Sequence, residues 1–243
     1  MDFFSVDGKF YRFLSRLFDM LKLNFLWFIC SVPIVTFGPA TIAAFSVTME
    51  MIDDTEGYVS KKFFKTFKSN LKNGIPLGLL FLLGIYALWI EFQLMMLGEH
   101  IFMFVLVFCI GVFSILTGFM WAFALEVRYE NTLIKTLKNS YDISVRYFVR
   151  FLLLVIVIAI EVVVFIFSYV TMFFGILIGP ACIMLTISGF AVPFFREIEK
   201  EDGAVIRPEK KDDDAQGEDA ETKKTPQKSG GIAQRAHMNT KNK

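Results

Sequence analysis

Histidine is almost absent from this chain. His100 and His237 are the only two, which excludes a histidine-rich metal site. Cysteine is scarce too: Cys30, Cys109 and Cys182 all lie in apolar stretches, where they read as small buried hydrophobes rather than as a disulfide framework. There is no Cys-x-x-Cys, no Walker P-loop, no Gly-x-Ser-x-Gly and no His-Glu-x-x-His, so the common metal, phosphate and nucleophile chemistries have no motif to stand on. No cofactor, metal or catalytic residue is expected, and the chain is not expected to be an enzyme. Charge of one sign is also lacking. Lys and Arg number 25 against 24 Asp and Glu, a net charge of +1, which argues against nucleic acid as a partner. The N-terminus does not resemble a cleaved signal: Asp2 and Asp7 come early, and the first apolar run meets Pro33 without a small-residue cleavage pattern.

Apolar side chains are what the sequence has in quantity. They make up 55% of the 243 residues, including 29 Phe, and mean hydropathy is +0.53, above soluble domains. The charge is unevenly placed. From Arg196 to Lys243 there are 11 basic and 11 acidic residues and few large apolar ones, so this tail is expected to be disordered and solvated, Asp212–Asp214 and Lys223–Lys224 included. Residues 1–195 remain as a membrane domain. The run Phe151–Val170 alone is nearly continuous in apolar residues, long enough to span the ~30 Å hydrocarbon core as one helix.

The fold class is therefore all-α and polytopic, with six expected helices: Arg16–Val32, Pro39–Ile52, Ile75–Leu97, Ile101–Val127, Phe148–Phe174 and Pro180–Phe195. Gly98–His100 and Gly175–Gly179 are the expected short turns and carry no Lys or Arg. The segments 53–73 and 128–150 each carry five basic residues. By the positive-inside rule these two loops, the basic N-terminal segment and the tail face the cytoplasm. Alternatives stand for the first pair, since 23–52 also reads as one broken span in a five-span protein, or as a re-entrant hairpin. Within the inner loops, Phe63, Phe64 and Phe67 alternate at helical spacing with Lys61, Lys62, Lys65 and Lys68. This is an interfacial-helix pattern suited to anionic lipid or to a cytoplasmic partner. A weaker copy holds Leu133, Ile134 and Leu137 beside Lys135 and Lys138. Lys65-Thr66-Phe67-Lys68 resembles Lys135-Thr136-Leu137-Lys138 at an offset of 70, and Gly38-Pro39-Ala40 resembles Gly179-Pro180-Ala181 at 141. An internal repeat of inward helix, basic helix and outward helix accounts for both matches; chance in biased sequence is the other reading.

Acids inside apolar runs are costly and invite a functional reading. Glu161 is read as lying midway along the fifth helix, and Glu91 in the outer part of the third. Each serves either as an intramembrane polar site or as a hydrogen-bonding contact between helices. Pro33, Thr36, Gly38 and Pro39 bracket a helix break whose freed backbone groups could meet a ligand. Glu126 and Arg128 are expected to pair or face headgroups, and Glu50, Asp53 and Asp54 to be solvated. Gly111, Ser114, Thr117 and Gly118 read as a helix-packing face, and Trp27, Trp89 and Trp121 as packing or interface anchors.

The elements Asn24-Phe-Leu-Trp27, Pro33-Ile-Val-Thr36-Phe-Gly38 with small residues after it, and Phe63-Phe64-Lys65-Thr66-Phe67-Lys68-Ser69-Asn70 resemble the YesL family, also called DUF624, small integral membrane proteins found mostly in Gram-positive bacteria. The motifs cover the first ~75 residues and the hydropathy pattern about 195. The resemblance brings no catalytic residues. Its members are often encoded beside sugar-uptake ABC transporters, glycan-degrading enzymes and two-component sensors. It therefore implies a non-enzymatic accessory role in carbohydrate uptake or sensing, with an ABC permease or a sensor kinase as partner and the lipid bilayer as surroundings. A small autonomous transporter using Glu161 and Glu91 is the alternative.

Overall fold

The computed structural model describes residues 9–53, 58–96, 101–129 and 132–201. Among them every regular element is helical: α1 (Lys9–Ser31), a 3-10 turn (Ile34–Thr36), α2 (Phe37–Ile52), α3 (Val59–Ser69), α4 (Leu71–Met95), α5 (Ile101–Thr117), a π turn (Gly118–Ala122), α6 (Phe123–Arg128), α7 (Leu133–Arg146), α8 (Phe148–Ile166) and α9 (Tyr169–Glu201). The chain is an all-α polytopic protein. Among the described residues five stretches are long and apolar enough to cross a membrane: Ile34–Ile52, Leu71–Met95, Phe102–Arg128, Phe148–Ile166 and Tyr169–Glu197. α1 is not among them, because Lys9, Arg12, Arg16, Asp19 and Lys22 break up its apolar run.

The organising element is α2. Every residue from Gly38 to Met49 is buried, and 67% of its apolar stretch lies against protein, compared with 6 to 22% for the other four. Its composition explains this. Gly38, Ala40, Thr41, Ala43, Ala44, Ser46 and Thr48 give a thin, polar-dotted helix that other helices approach closely; in a membrane, such packing and hydrogen bonding replace the hydrophobic effect as the association force. α1, α3, α4, α6 and α9 all pack on it.

α1 and α2 form a helical hairpin about the 3-10 turn; of the pair only Ile34–Ile52 is among the candidate spans, so the described residues hold five candidate spans where six membrane helices are expected from the sequence. Thr36 closes the turn: its hydroxyl lies 2.7 Å from the Cys30 carbonyl and 2.8 Å from that of Pro33, so a carbonyl left open at the end of α1 gains a donor. The return limb is α3 followed by α4. Lys62 pairs with Glu50 and Thr66 Oγ1 donates to Ser46 Oγ at 3.1 Å. Next, Gly74 and Gly78 meet Gly38, so α3 and the start of α4 run antiparallel to α2 throughout. That last contact is backbone against backbone. A Cβ on Gly38 would lie 2.0 Å from the Gly74 carbonyl oxygen and 2.8 Å from the Gly78 Cα, and no side chain can be accommodated at those distances.

Burial is concentrated at one end of each remaining membrane-length limb. In α4 only Gly74, Leu77 and Gly78 are buried, and in α8 only Phe151 and Leu154. Thr117 and residues 120–126 are buried in the α5–α6 limb, and the buried residues of α9 begin at Gly179. From this core two apolar hairpins project, α4–α5 and α8–α9. Each packs internally, but neither packs extensively on the other. Their flanks, for example Leu83, Trp89, Leu106, Ile160, Val164 and Phe173, are exposed, as lipid-facing surfaces should be.

The structure corrects several expected boundaries. The expected turn at Gly175–Gly179 is helical, and the chain instead reverses at Phe167–Ser168. There the Ser168 N–H donates to Thr171 Oγ1 at 2.9 Å and the Thr171 hydroxyl returns 2.9 Å to the Ser168 carbonyl, a local cap at the start of α9. The glycines serve close approach instead: a Cβ on Gly175 would meet Phe165 at 2.8 Å. Pro180 is inside α9 and does not open it. α9 also continues through Glu201, past the expected tail boundary at Arg196; residues 202–243, and with them the rest of the disorder expectation, lie outside the described residues. The fourth expected helix is one limb carrying a π turn. Gly118 begins that turn and has no atom within 4 Å of an added Cβ, so it takes no part in the packing face proposed for it, whereas Gly111 packs on Leu88.

Gly38→Leu is expected to lower stability by about 1–3 kcal/mol or more through overpacking, read as a drop in the midpoint of thermal aggregation in detergent. Gly118→Ala should leave that midpoint within experimental error. A Gly38→Leu variant as stable as wild type would refute the glycine contact.

Candidate functional site

Around α2, most of the buried polar side chains link two helices. Asn24 on α1 donates through Nδ2 to the carbonyls of Leu177 (2.8 Å) and Ile176 (3.2 Å) on α9. The reason lies four residues on. Pro180 has no N–H, so the Ile176 carbonyl loses its intrahelical donor, and in a lipid environment such a group must be satisfied from elsewhere. Trp27 Nε1 donates to Thr41 Oγ1 at 3.2 Å, and Thr41 in turn donates to the Phe37 carbonyl at 2.8 Å. Thr48 and Ser188 share a hydrogen bond of 2.7 Å between α2 and α9. Thr136 on α7 donates to the buried carboxylate of Glu126 at 3.1 Å, and Ser140 donates to the Thr136 carbonyl at 2.7 Å.

The repeat has a structural counterpart. In both Lys-Thr-x-Lys elements the threonine, Thr66 or Thr136, is buried and donates to a polar residue of the preceding apolar limb. Asn70 and Ser140, also 70 apart, are buried, while Phe64 and Ile134, Lys65 and Lys135, and Lys68 and Lys138 are exposed. The helix pair therefore shares one pattern of burial. It is not the lipid-facing pattern expected of α3: Phe63 is fully buried in the core, Phe67 is half-buried and only Phe64 turns outward. The apolar face of α3 is occupied by α2. Lys61, Lys65 and Lys68 remain on the outer face, and half-buried Lys62 is engaged by Glu50.

Glu50 and Asp53 are ion-paired as well as partly solvated. Besides the Glu50–Lys62 pair, Asp53 pairs with Arg196 at 2.5 Å. Arg150 pairs with Glu197 through both terminal guanidinium nitrogens, Nη1 and Nη2, and it lies over the Tyr147 and Phe194 rings. These pairs are half-exposed and each contributes at most about 1 kcal/mol, so their role is chiefly to fix which helix ends meet.

Of the other expected site residues, Pro33 is exposed, Thr36 is half-buried, and Gly38 and Pro39 are buried. Thr36 and Gly38 are accounted for by the turn and the glycine contact. Glu161 is not midway along its helix. It lies five residues before the end of α8 at Ile166, about 8 Å from that end, half-buried, and accepts a 3.1 Å hydrogen bond from Thr186 Oγ1 on α9. Glu91 lies four residues before the end of α4 at Met95, also half-buried, with its carboxyl over Gly111 of α5. The two acids sit 70 residues apart, each after an isoleucine and each leaning across its own hairpin. They are equivalent positions of the two units, engaged away from the Pro33–Pro39 turn. Among the described residues no three His, Cys, Asp or Glu side chains come together.

Sequence reading missed most of the polar seam. The spacing Gly74-x-x-x-Gly78, a small-residue signature for close helix contact, was available to flag the α2–α4 contact. Asn24 in an apolar run, with Pro180 freeing a carbonyl elsewhere, was available to flag the α1–α9 link.

Asn24→Leu is expected to cost about 1–3 kcal/mol, since it leaves a carbonyl of α9 without a donor where no water can supply one. Adding Pro180→Ala should recover much of that loss by restoring the helix's own donor. Thermal midpoints of the two single variants and the double variant test this; strictly additive effects would show that Asn24 does not serve the proline break.

Residues 20–92 match the family described as "Protein of unknown function, DUF624", a stretch that runs from α1 through α2 and α3 into the last turn of α4. No curated protein and no solved structure matches the chain significantly.

Proposed function

We propose that this DUF624-family membrane protein is a non-enzymatic partner subunit, docking onto a carbohydrate ABC uptake system or the sensor kinase that accompanies one. The observation that carries the reading is the use made of the polar groups. Asn24, Trp27, Thr41, Ser46, Thr48, Thr66, Glu126 and Thr136 each hydrogen-bond within the helical core, which suits a scaffold better than a reaction centre. What the protein offers outward is surface: two apolar hairpins and the basic outer faces of α3 and α7. The partner class itself is carried by the family resemblance. In this reading α3, α7 and the C-terminal tail face the cytoplasm of the cell membrane, as the positive-inside rule favours, and Lys61, Lys68, Lys135 and Lys138 meet anionic headgroups or an acidic face of the partner.

An affinity tag at the C-terminus, mild solubilisation of native membranes and identification of the co-purifying proteins tests the reading. The expected result is a sugar ABC permease or a sensor kinase, with recovery reduced severalfold when Lys61, Lys68, Lys135 and Lys138 are changed together to Glu. Recovery of the chain alone, or only with copies of itself, would contradict it.

A further inference from the structure

Glu161, the one acid of α8, is incompletely covered by the protein itself. Val157, Glu161 and Val164 lie at i−4, i and i+3, on one side of the helix. Val157 and Val164 are exposed while Glu161 is half-buried, so the carboxyl lies at the edge of the α8–α9 hairpin. Across the seam Thr186 supplies its hydrogen bond, and Phe190, one turn along α9 from Thr186, is exposed. The equivalent position repeats the arrangement: Ala87 and Leu94, at i−4 and i+3 from half-buried Glu91, are both exposed. A carboxyl beside lipid at this depth is expensive unless paired, and one threonine hydroxyl satisfies only part of it. The chain cannot complete the pairing from its own hairpins, because residues 73–127 and 151–195 contain no Lys or Arg. A second copy would bring the cations of α1, but Arg16 and Lys22 are already engaged, Lys22 by Asp19 at 3.8 Å.

We infer that the Glu161–Thr186 edge of the α8–α9 hairpin is a lateral docking site within the membrane for a transmembrane helix of a different protein, one carrying a lysine or arginine that reaches Glu161. This deepens the partner-subunit reading and rests on it. Charge complementarity sets the chemistry of the occupant: a basic side chain at matching depth removes two intramembrane charges at once. Exposed Val157, Val164 and Phe190 supply the apolar rim against which the helix packs.

The photo-cross-linking residue p-benzoylphenylalanine, placed at Val164 of the full-length chain in native membranes, tests the inference. The expected product is an adduct whose partner peptide, sequenced by mass spectrometry, is a transmembrane segment containing Lys or Arg. Its yield should fall about tenfold in Glu161→Gln and Glu161→Leu backgrounds. It should return when Glu161→Lys is combined with substitution of the partner's basic residue by Glu; that rescue also shows that the loss was not misfolding. Adducts with lipid only, with a second copy of this chain, with a segment lacking a basic residue, or with a yield indifferent to Glu161 would each overturn it. Co-purification of a permease or kinase alongside lipid-only adducts at Val164 would sink the lateral site and leave the partner-subunit reading standing. Absence of both would sink both.

Discussion

The contact of Gly38 with Gly74 and Gly78 is the constraint on which the rest of the fold depends. At that point two backbones touch without intervening side chains. This lets the α3–α4 limb lie against α2 from Lys62 and Thr66 through Gly74. Once α2 is sheathed in this way, with α1, α6 and α9 on its other sides, its hydroxyls at Thr41, Ser46 and Thr48 face protein and find protein partners. Water is unavailable to unsatisfied polar groups within a bilayer, so a polar-dotted helix is stable there only if it is enclosed. The exposed hairpins can then be almost wholly apolar, and they are.

Prolines fit the same logic. Pro180 interrupts the hydrogen-bond ladder of α9, and Asn24 repairs it from another helix. A bond between residues 152 positions apart thus ties the first helix to the last. Pro33 and Thr36 do for the α1–α2 turn what Ser168 and Thr171 do for the α8–α9 turn: a short polar side chain takes over backbone groups that the reversal leaves open. Neither turn needs a bound ligand to be complete.

Much of the architecture was legible in the sequence. Long apolar runs placed the limbs, and charge-rich segments located α3 and α7. The spacing of 70 between Lys-Thr-x-Lys elements pointed to two units that share a burial pattern. Errors arose where one residue type serves two physical ends. Gly175 and Gly179 read as a turn, yet Gly175 is small so that Phe165 can pack on it. The phenylalanines of α3 read as lipid-facing because an amphipathic helix has the same spacing whether its apolar side meets lipid or protein, and only the location of α2 decides. Glu161 was assigned mid-helix because the apolar run continues through the reversal at Phe167–Ser168, whose cap is made by two hydroxylated residues with no Gly or Pro to announce it. The polar seam was least legible, since its hydrogen bonds join residues remote in sequence and each side chain alone is unremarkable in type.

The central claim is that an enclosed, α2-centred core carries hairpins whose flanks face lipid. The native tryptophans probe both regions: Trp89, on α4, is 56% exposed, and Trp121, in the core, is 2% exposed. Variants retaining one of them, with the other tryptophans changed to Phe, can be reconstituted into vesicles of brominated lipid, and their fluorescence compared with that in unbrominated vesicles. The account predicts strong quenching of Trp89 and near-complete protection of Trp121. Equal quenching of the two, or stronger quenching of Trp121, would contradict it.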